Sequence, residues 1–271
     1  MRATWYSADP PPQVPLTPGG WLRVMVRAGL LALLIGGGLA LLGLIRLVEY
    51  PLCAPRRPVT PRITRFVCRT ALRVIGIGWQ MQGRPVRTGG AMLANHGGWL
   101  DILALNAATP VYFVAKAEVA GWPGIGILAR ATGTLFIRRD RVDAAAQVAL
   151  IRDRLRAGHL LALFPEGTSS DGLRILPFKP ALFAAFLDPA LPPDLPLQPV
   201  TLRWQAPSGA DARFYGWWGD MGFGAHALQV LAAARQGAVT VTFHPPLQAR
   251  HHADRKALAL AAETAVRDGF G

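Results

Sequence analysis

Between Arg27 and Arg46 the chain carries no charged side chain for 18 residues, Ala28 to Ile45. A helix apolar on every side must be enclosed by protein or by lipid. At about 1.5 Å per residue, a run of this length lies at the lower edge of what crosses a bilayer core. The three glycines at 36 to 38 fit that reading, since glycine is commoner in membrane helices than in soluble ones. A cleaved signal peptide is one rival, but the apolar part starts late, runs long and lacks a small-x-small cleavage site. A buried soluble helix is another. The length alone fits both full crossing and insertion into one leaflet.

Charge decides which surface lies nearby. The chain of 271 residues has a formal charge of +13, almost all of it from arginine, with lysine only at Lys116, Lys179 and Lys256. Such a balance suits a polyanionic partner. Seven arginines against one acid, Glu49, fall between Arg46 and Arg73, directly behind the apolar run. That placement favours an anionic membrane surface over nucleic acid. The same asymmetry, read by the positive-inside rule, puts the rest of the chain on the cytoplasmic face of the inner membrane. Residues 55 to 75 alternate arginine with Ile63, Phe66, Val67, Leu72 and Val74 at roughly helical spacing. This predicts an amphipathic helix, lying either on lipid headgroups or on the surface of an arginine-rich protein. Residues 1 to 20, rich in proline, read as a flexible lead-in, and 21 to 75 as the anchoring segment. Cys53 and Cys68 are too few for a disulfide framework or a metal knuckle.

From Gly76 onward strands and helices alternate. Strands are expected at Gly78–Gln82, Ala91–Ala94, Val111–Ala115, Thr134–Ile137, Leu160–Phe164, Leu197–Trp204 and Ala238–Phe243. Helices are expected at Leu100–Ala108, Gly124–Ala131, Val142–Ala157, Pro180–Leu187, Ala225–Ala234 and His252–Asp268. The pattern predicts an α/β domain over 76–271, a single largely parallel sheet flanked by helices. Sites in such folds gather at the carboxyl ends of strands. Three polar clusters follow predicted strands directly: Asn95-His96, Arg138-Arg139 and Pro165-Glu166.

The first cluster continues as Gly97-Gly98-Trp99-Leu100-Asp101. A histidine and an aspartate five apart do not share a helix face. They meet only if His96 lies in a strand-to-helix turn and Asp101 in the first helical turn, with Gly97 and Gly98 supplying a left-handed or strained backbone. The pair would then be a general base and the carboxylate that orients it. The second cluster ends the apolar strand Gly133-Thr134-Leu135-Phe136-Ile137 in Arg138-Arg139, with Arg141 beyond, a candidate fork for an anion. In the third, Phe164-Pro165-Glu166-Gly167-Thr168, a carboxylate between proline and glycine can accept bonds from substrate hydroxyls while Gly167 admits substrate to the backbone.

Taken in order, Asn-His-x4-Asp, Gly-x-Leu-Phe-Ile-x-Arg, Phe-Pro-Glu-Gly-Thr and Leu197-Gln198-Pro199-Val200 resemble the glycerolipid acyltransferase family, whose bacterial representative is 1-acylglycerol-3-phosphate acyltransferase. Pro177-Phe178-Lys179 also looks like that family. The resemblance implies a membrane-bound O-acyltransferase that moves a fatty acyl group from acyl-CoA or acyl carrier protein to the free hydroxyl of lysophosphatidate. By it, His96 takes the hydroxyl proton and Asp101 orients the imidazole. Arg139, flanked by Arg138, binds the acceptor phosphate. Glu166, Gly167 and Thr168 meet its glycerol part, and Pro199 helps form the acyl site. No metal or organic cofactor is implied, because a thioester is already activated.

Two departures bear on the acceptor. Ser169-Ser170-Asp171-Gly172 stands where the family often has an arginine, and Arg138 where an aspartate is frequent. The Ser-Asp-Gly variant is similar to bacterial enzymes that acylate lyso-ornithine lipid, which is zwitterionic. The arginine cluster, with Lys179 in place of the missing arginine, favours lysophosphatidate; lyso-ornithine lipid is the alternative. Asp220 and His226 read as structural. A serine hydrolase is excluded by the absence of Gly-x-Ser-x-Gly around any of the four serines. Adjacent His251 and His252 do not converge as metal ligands, and no nucleic-acid module is recognisable. A non-catalytic lipid-binding membrane protein is the rival of another class, but it has no use for His96 and Asp101.

Overall fold

The computed structural model describes residues 5–6, 15–54, 56–87, 89–138 and 144–271. Its first element, α1 (Pro18–Cys53), is 36 residues long. It opens inside the stretch read as lead-in because Thr17 accepts a hydrogen bond from Gly20 N at 3.1 Å and Pro18 stands in the first turn. Helix α2 (Thr60–Ile75) packs back along it, and Gly38 is the point of closest approach, where a Cβ would meet Val67. One face of α2, with Cys68, Leu72 and Ile75, is buried. Arg62, Phe66, Arg69 and Arg73 lie exposed on the other, so the amphipathic helix is present and its apolar stripe faces protein.

Both ends of α1 are tied to the rest of the chain. Arg23 and Arg27 donate to the carbonyls of Leu231, Ala232 and Ala233 at 2.7–2.8 Å, at the exit of α6 (Phe223–Ala232). Cations suit the negative end of a helix. At the other end Glu49 accepts from Val59 N, Thr60 N and Thr60 Oγ1, clasping the start of α2. Among the described residues α1 is the one helix long and apolar enough to cross a membrane, and its leucines at 33, 41, 44 and 47 are exposed.

The strands are β1 (Gly78–Gln82), β2 (Gly90–Ala94), β3 (Tyr112–Lys116), β4 (Leu135–Ile137), β5 (Leu160–Leu163), β6 (Pro196–Gln205), β7 (Ala238–Phe243) and β8 (Leu247–Gln248). They form one sheet in the order β1-β7-β6-β2-β5-β3-β4, with β8 on the end of β6. All pairs are parallel except β6 with β7 and β6 with β8. The expected single, largely parallel sheet flanked by helices is therefore the fold. The remaining helices are α3 (Leu100–Ala108), α4 (Ile125–Thr132), α5 (Ala144–Arg156) and α7 (Arg255–Asp268), the last capped by Asp254. Pro180–Leu187, expected as α-helix, is 3-10 helix. In that tighter winding residues three apart eclipse, which sends both Phe183 and Phe186 into the core.

Central strand β2 is buried throughout, as a parallel strand covered on both faces must be. Its residues alternate. Met92 and Ala94 join Leu72, Ala104 and Val230 on the side of α1, α2, α3 and α6. Ala91 and Leu93 join Leu155, Phe183 and Leu258 on the side of α5 and α7. Asn95 fixes the end of β2 by a reciprocal pair with Leu202 of β6, at 2.9 and 2.7 Å.

Candidate active site

Because β2 and β5 are parallel neighbours, the segments that follow them meet at the same edge of the sheet. His96 leaves β2 and Glu166 leaves β5. His96 Nδ1 is 2.8 Å from Asp101 Oδ2, with Asp101 in the first turn of α3. The same oxygen accepts from Gly97 N at 2.8 Å and Gly98 N at 2.9 Å, and Oδ1 accepts from Trp204 Nε1 at 2.7 Å. Asp101 is 0% exposed. These donors fix the carboxylate in one orientation, with Oδ2 turned to the imidazole. With Nδ1 engaged, Nε2 is the ring nitrogen open to a substrate, and the side chain is 20% exposed. The Phe164 ring stacks on the imidazole at 4.0 Å and 13°, fixing its plane.

The two glycines of the turn do not serve as expected. Neither Gly97 nor Gly98 has a positive φ. Gly98 is needed for close approach, since a Cβ there would sit 3.0 Å from Trp217 Cβ, whereas one on Gly97 would make an ordinary contact with Gly172 Cα at 3.4 Å. Two loops press on the turn there. From one side Ser170 N donates to His96 O at 2.9 Å; from the other Trp217 N donates to Gly97 O at 2.8 Å. The glycines here that do need the left-handed region are Gly167, at φ +74°, and Gly172, at φ +78°.

Glu166 is 1% exposed, and its Oε1 accepts from His96 N at 3.0 Å. Burial pushes its carboxyl up to about 8 against the opposing pull of the His96 and Leu176 amides. In this conformation it holds the backbone of the histidine turn, where the family resemblance had it meet substrate hydroxyls. Thr168 lies beside it, its hydroxyl accepting from Trp5 N at 3.3 Å.

The other residues named from the sequence lie further off. Arg138 is exposed at the end of β4, three strands from β2, which at about 4.8 Å per strand is roughly 14 Å across the same edge. Arg139 and Arg141 lie outside the described residues. Lys179 is exposed, its amide bonded to Pro165 O at 2.9 Å. Pro199 is paired with Leu93 inside the sheet, so it lines the core behind the site rather than its mouth. On the variant loop, Asp171 is 1% exposed and forms a two-pronged pair with Arg174, at 3.1 and 2.8 Å. His226, read as structural, accepts the Trp99 indole proton at 2.9 Å, and burial lowers its pKa to about 4. Among the described residues no cluster of three or more His, Cys, Asp or Glu side chains could hold a metal ion.

Sequence reasoning missed Trp204 and the Tyr215–Trp218 loop. The signal for Trp204 was its place in a strand predicted to run Leu197–Trp204; the loop had none.

Comparison with known proteins agrees with this geometry. The Acyltransferase family profile matches residues 80–203. A lyso-ornithine lipid O-acyltransferase from Rhodobacter capsulatus is 53% identical over 270 residues, covering 100% of this chain and 98% of that one. A 1-acyl-sn-glycerol-3-phosphate acyltransferase from Neisseria gonorrhoeae is 39% identical over 122 residues, 44% of this chain and 48% of that one. The crystal structure of the 1-acyl-sn-glycerophosphate acyltransferase PlsC from Thermotoga maritima shares the fold, with a TM-score of 0.62 at 18% identity over 92% of this chain and 94% of that chain. The chain belongs to the acyltransferase family.

Proposed function

We propose that this enzyme transfers a fatty acyl group from acyl-CoA or acyl carrier protein to the free hydroxyl of lyso-ornithine lipid. The observation that carries the choice of acceptor is the Asp171–Arg174 pair. Arg174 is the nearest cation on the loop after Glu166-Gly167-Thr168, and its charge is already balanced by Asp171. A loop whose arginine is so balanced suits a zwitterionic headgroup better than a phosphate monoester. The similarity along the full length to the Rhodobacter capsulatus protein supports the same acceptor.

His96 Nε2 accepts the proton of the acceptor hydroxyl as its oxygen attacks the thioester carbonyl. The new C–O bond forms, the tetrahedral intermediate collapses, and the C–S bond breaks. The imidazolium returns its proton to the leaving thiolate. Asp101 keeps the Nδ1–H tautomer and stabilises the imidazolium. Glu166 and Trp204 act through these two, by holding the His96 backbone and the Asp101 carboxylate.

Membrane association rests on α1. Its two ends are bound to the same domain, so its exposed leucines meet lipid along the length of the helix. The arginines behind it argue for the cytoplasmic face of the inner membrane.

Lysophosphatidate is the second reading, favoured by exposed Arg138 and by Arg139 and Arg141 next to it in sequence. Free-thiol release in detergent, with each acceptor supplied in turn, separates the two. A higher kcat/KM for lyso-ornithine lipid is expected. A higher value for lysophosphatidate refutes the first reading, and Arg139→Ala should then weaken its use by roughly ten- to a hundredfold. No thiol release with any lysolipid acceptor would return the chain to a non-catalytic lipid-binding role.

A further inference from the structure

A second site lies at the opposite end of the sheet. A cleft of about 1000 Å³ opens where the exit of α1 and the start of α2 meet the beginnings of β3 and β5. Arg56, Arg57, Arg62, Arg87 and Arg156 line it, with His159 at its floor, and none of its described lining residues is acidic. The five arginines come from three separate stretches of chain, so the fold and not a local run of sequence gathers them. Glu49, the acid of this junction, is engaged by Val59, Thr60 and Arg46.

We propose that this cleft binds the phosphodiester headgroup of an anionic phospholipid. Arg57 is held in place for such a contact, lying over the Tyr112 ring at 5.9 Å and donating to Ala131 O at 3.4 Å. Burial and the neighbouring Arg46 charge hold its pKa below the ordinary value, a strain that a bound anion relieves. Around it Arg56, Arg62, Arg87 and Arg156 are exposed and can close on a phosphate from several directions. Leu52 at the end of α1 lines the cleft and is exposed, and Leu47 earlier in that helix and Val59 before α2 are exposed as well. A headgroup in the cleft would leave its acyl chains beside those side chains and in continuity with the lipid along α1. The arginine stems serve the same boundary, since they cover apolar surface while the guanidinium stays at the headgroup level.

The catalytic turn is elsewhere. Leu160, at the edge of the cleft, is level with Gly90 in the β2–β5 register, six residues before His96. At about 3.3 Å per residue that is roughly 20 Å along the strands. An acyl donor seated in the cleft would have to carry its thioester around the body of the sheet to reach His96. The lipid reading therefore gives the cleft an anchoring role, gripping the bilayer behind the reaction site.

The test compares binding of the full chain to vesicles of phosphatidylcholine alone and with phosphatidylglycerol. Wild type is set beside Arg62→Gln/Arg87→Gln/Arg156→Gln and a control that loses equal charge elsewhere, Arg203→Gln/Arg235→Gln/Arg250→Gln. An arginine at an anionic surface contributes about fivefold, so the cleft variant should lose on the order of a hundredfold of the phosphatidylglycerol-dependent affinity. The control should lose far less, and turnover in neutral detergent should be unchanged for both, which shows they are folded. Soluble glycerophosphoglycerol should compete with the vesicles. Equal losses in the two triple variants would mean diffuse surface charge and overturn the proposal. Competition by inorganic phosphate as effective as by the headgroup would make the cleft a free-anion site, which overturns the lipid reading. Retained vesicle binding with lost turnover on acyl-CoA or acyl carrier protein would make it a donor dock, which also overturns it.

Discussion

Replacing Glu166 by glutamine should flatten the pH dependence of stability. The carboxyl of Glu166 is held at about 8 against an ordinary value of 4.5, first because it is buried and further because Asp101 is nearby. Between these two values the unfolded chain has released its proton and the folded chain has kept it. The folded state therefore binds more protons, and stability falls as pH rises through that window. The displacement sets a ceiling on the order of 5 kcal/mol, reached only above pH 8. Relaxation of the loop and water entry would reduce it to a few kcal/mol. Glutamine keeps an oxygen that can accept from His96 N but does not titrate.

The assay is denaturant unfolding in a neutral detergent, run on both proteins from about pH 5 to about pH 8.5. The readout is the slope, because a new buried amide shifts the whole glutamine curve by a constant. Wild type should lose stability relative to the variant across the window, most steeply between about pH 5.5 and about pH 7 and levelling off above about pH 8. Turnover should follow on the basic side. Ionised Glu166 beside Asp101 loosens the His96 turn, so kcat should fall above pH 8 in wild type and less so in the variant, with little change in KM. Parallel unfolding profiles for the two proteins would refute the assignment of a neutral, buried Glu166.

Three further outcomes are expected. His96→Ala should reduce acyl transfer by about 10²–10⁴-fold in the thiol-release assay without altering membrane association. Trp204→Phe leaves Asp101 Oδ1 buried without the indole proton, a bond to a charged group that contributes about 1.5–3 kcal/mol. It should lower the melting temperature and reduce kcat with little change in KM, because the carboxylate that orients His96 loses one of its donors. Glu49→Gln should weaken the clasp between α1 and α2 by about 1.5–3 kcal/mol, seen as faster amide exchange at Val59 and Thr60.

Much of this molecule is legible in its residues alone. Strand β2 can be read because a run of apolar residues ends in a turn whose chemistry makes sense in only one geometry, and His96 and Asp101 meet as the spacing requires. The reason given for the glycines was wrong because it was local. Nothing within the turn demands Gly98; the demand comes from Trp217, in the loop beyond β6. Glu166 shows the same limit, for its bond to the His96 amide cannot be read from its own stretch of chain. A Pro-Glu-Gly after a strand predicts an unusual carboxylate, but burial is a property of what packs over it. Here Ser170 and its loop fold onto the histidine turn and close the carboxyl off.

Trp204 shows how far the same reasoning could have gone. In β6 the residues alternate, so Val200, Leu202 and Trp204 share one face. Val200 is level with Ala94 across the parallel pair, and Leu202 is clamped by Asn95. Two residues further on, β2 has already turned away, and the next side chain on that face projects past the strand end toward the first turn of α3. A large aromatic with an indole proton there must bury its ring and find an acceptor. Asp101 is the acceptor within reach, at 2.7 Å. Every step uses information in the sequence except one, that β6 and not some other strand lies beside β2. That pairing joins residues more than a hundred positions apart, and the periodicity of a strand says nothing about its neighbour. The support of Asp101 is thus fixed by strand order, which in this fold decides which side chains reach the carboxyl edge together.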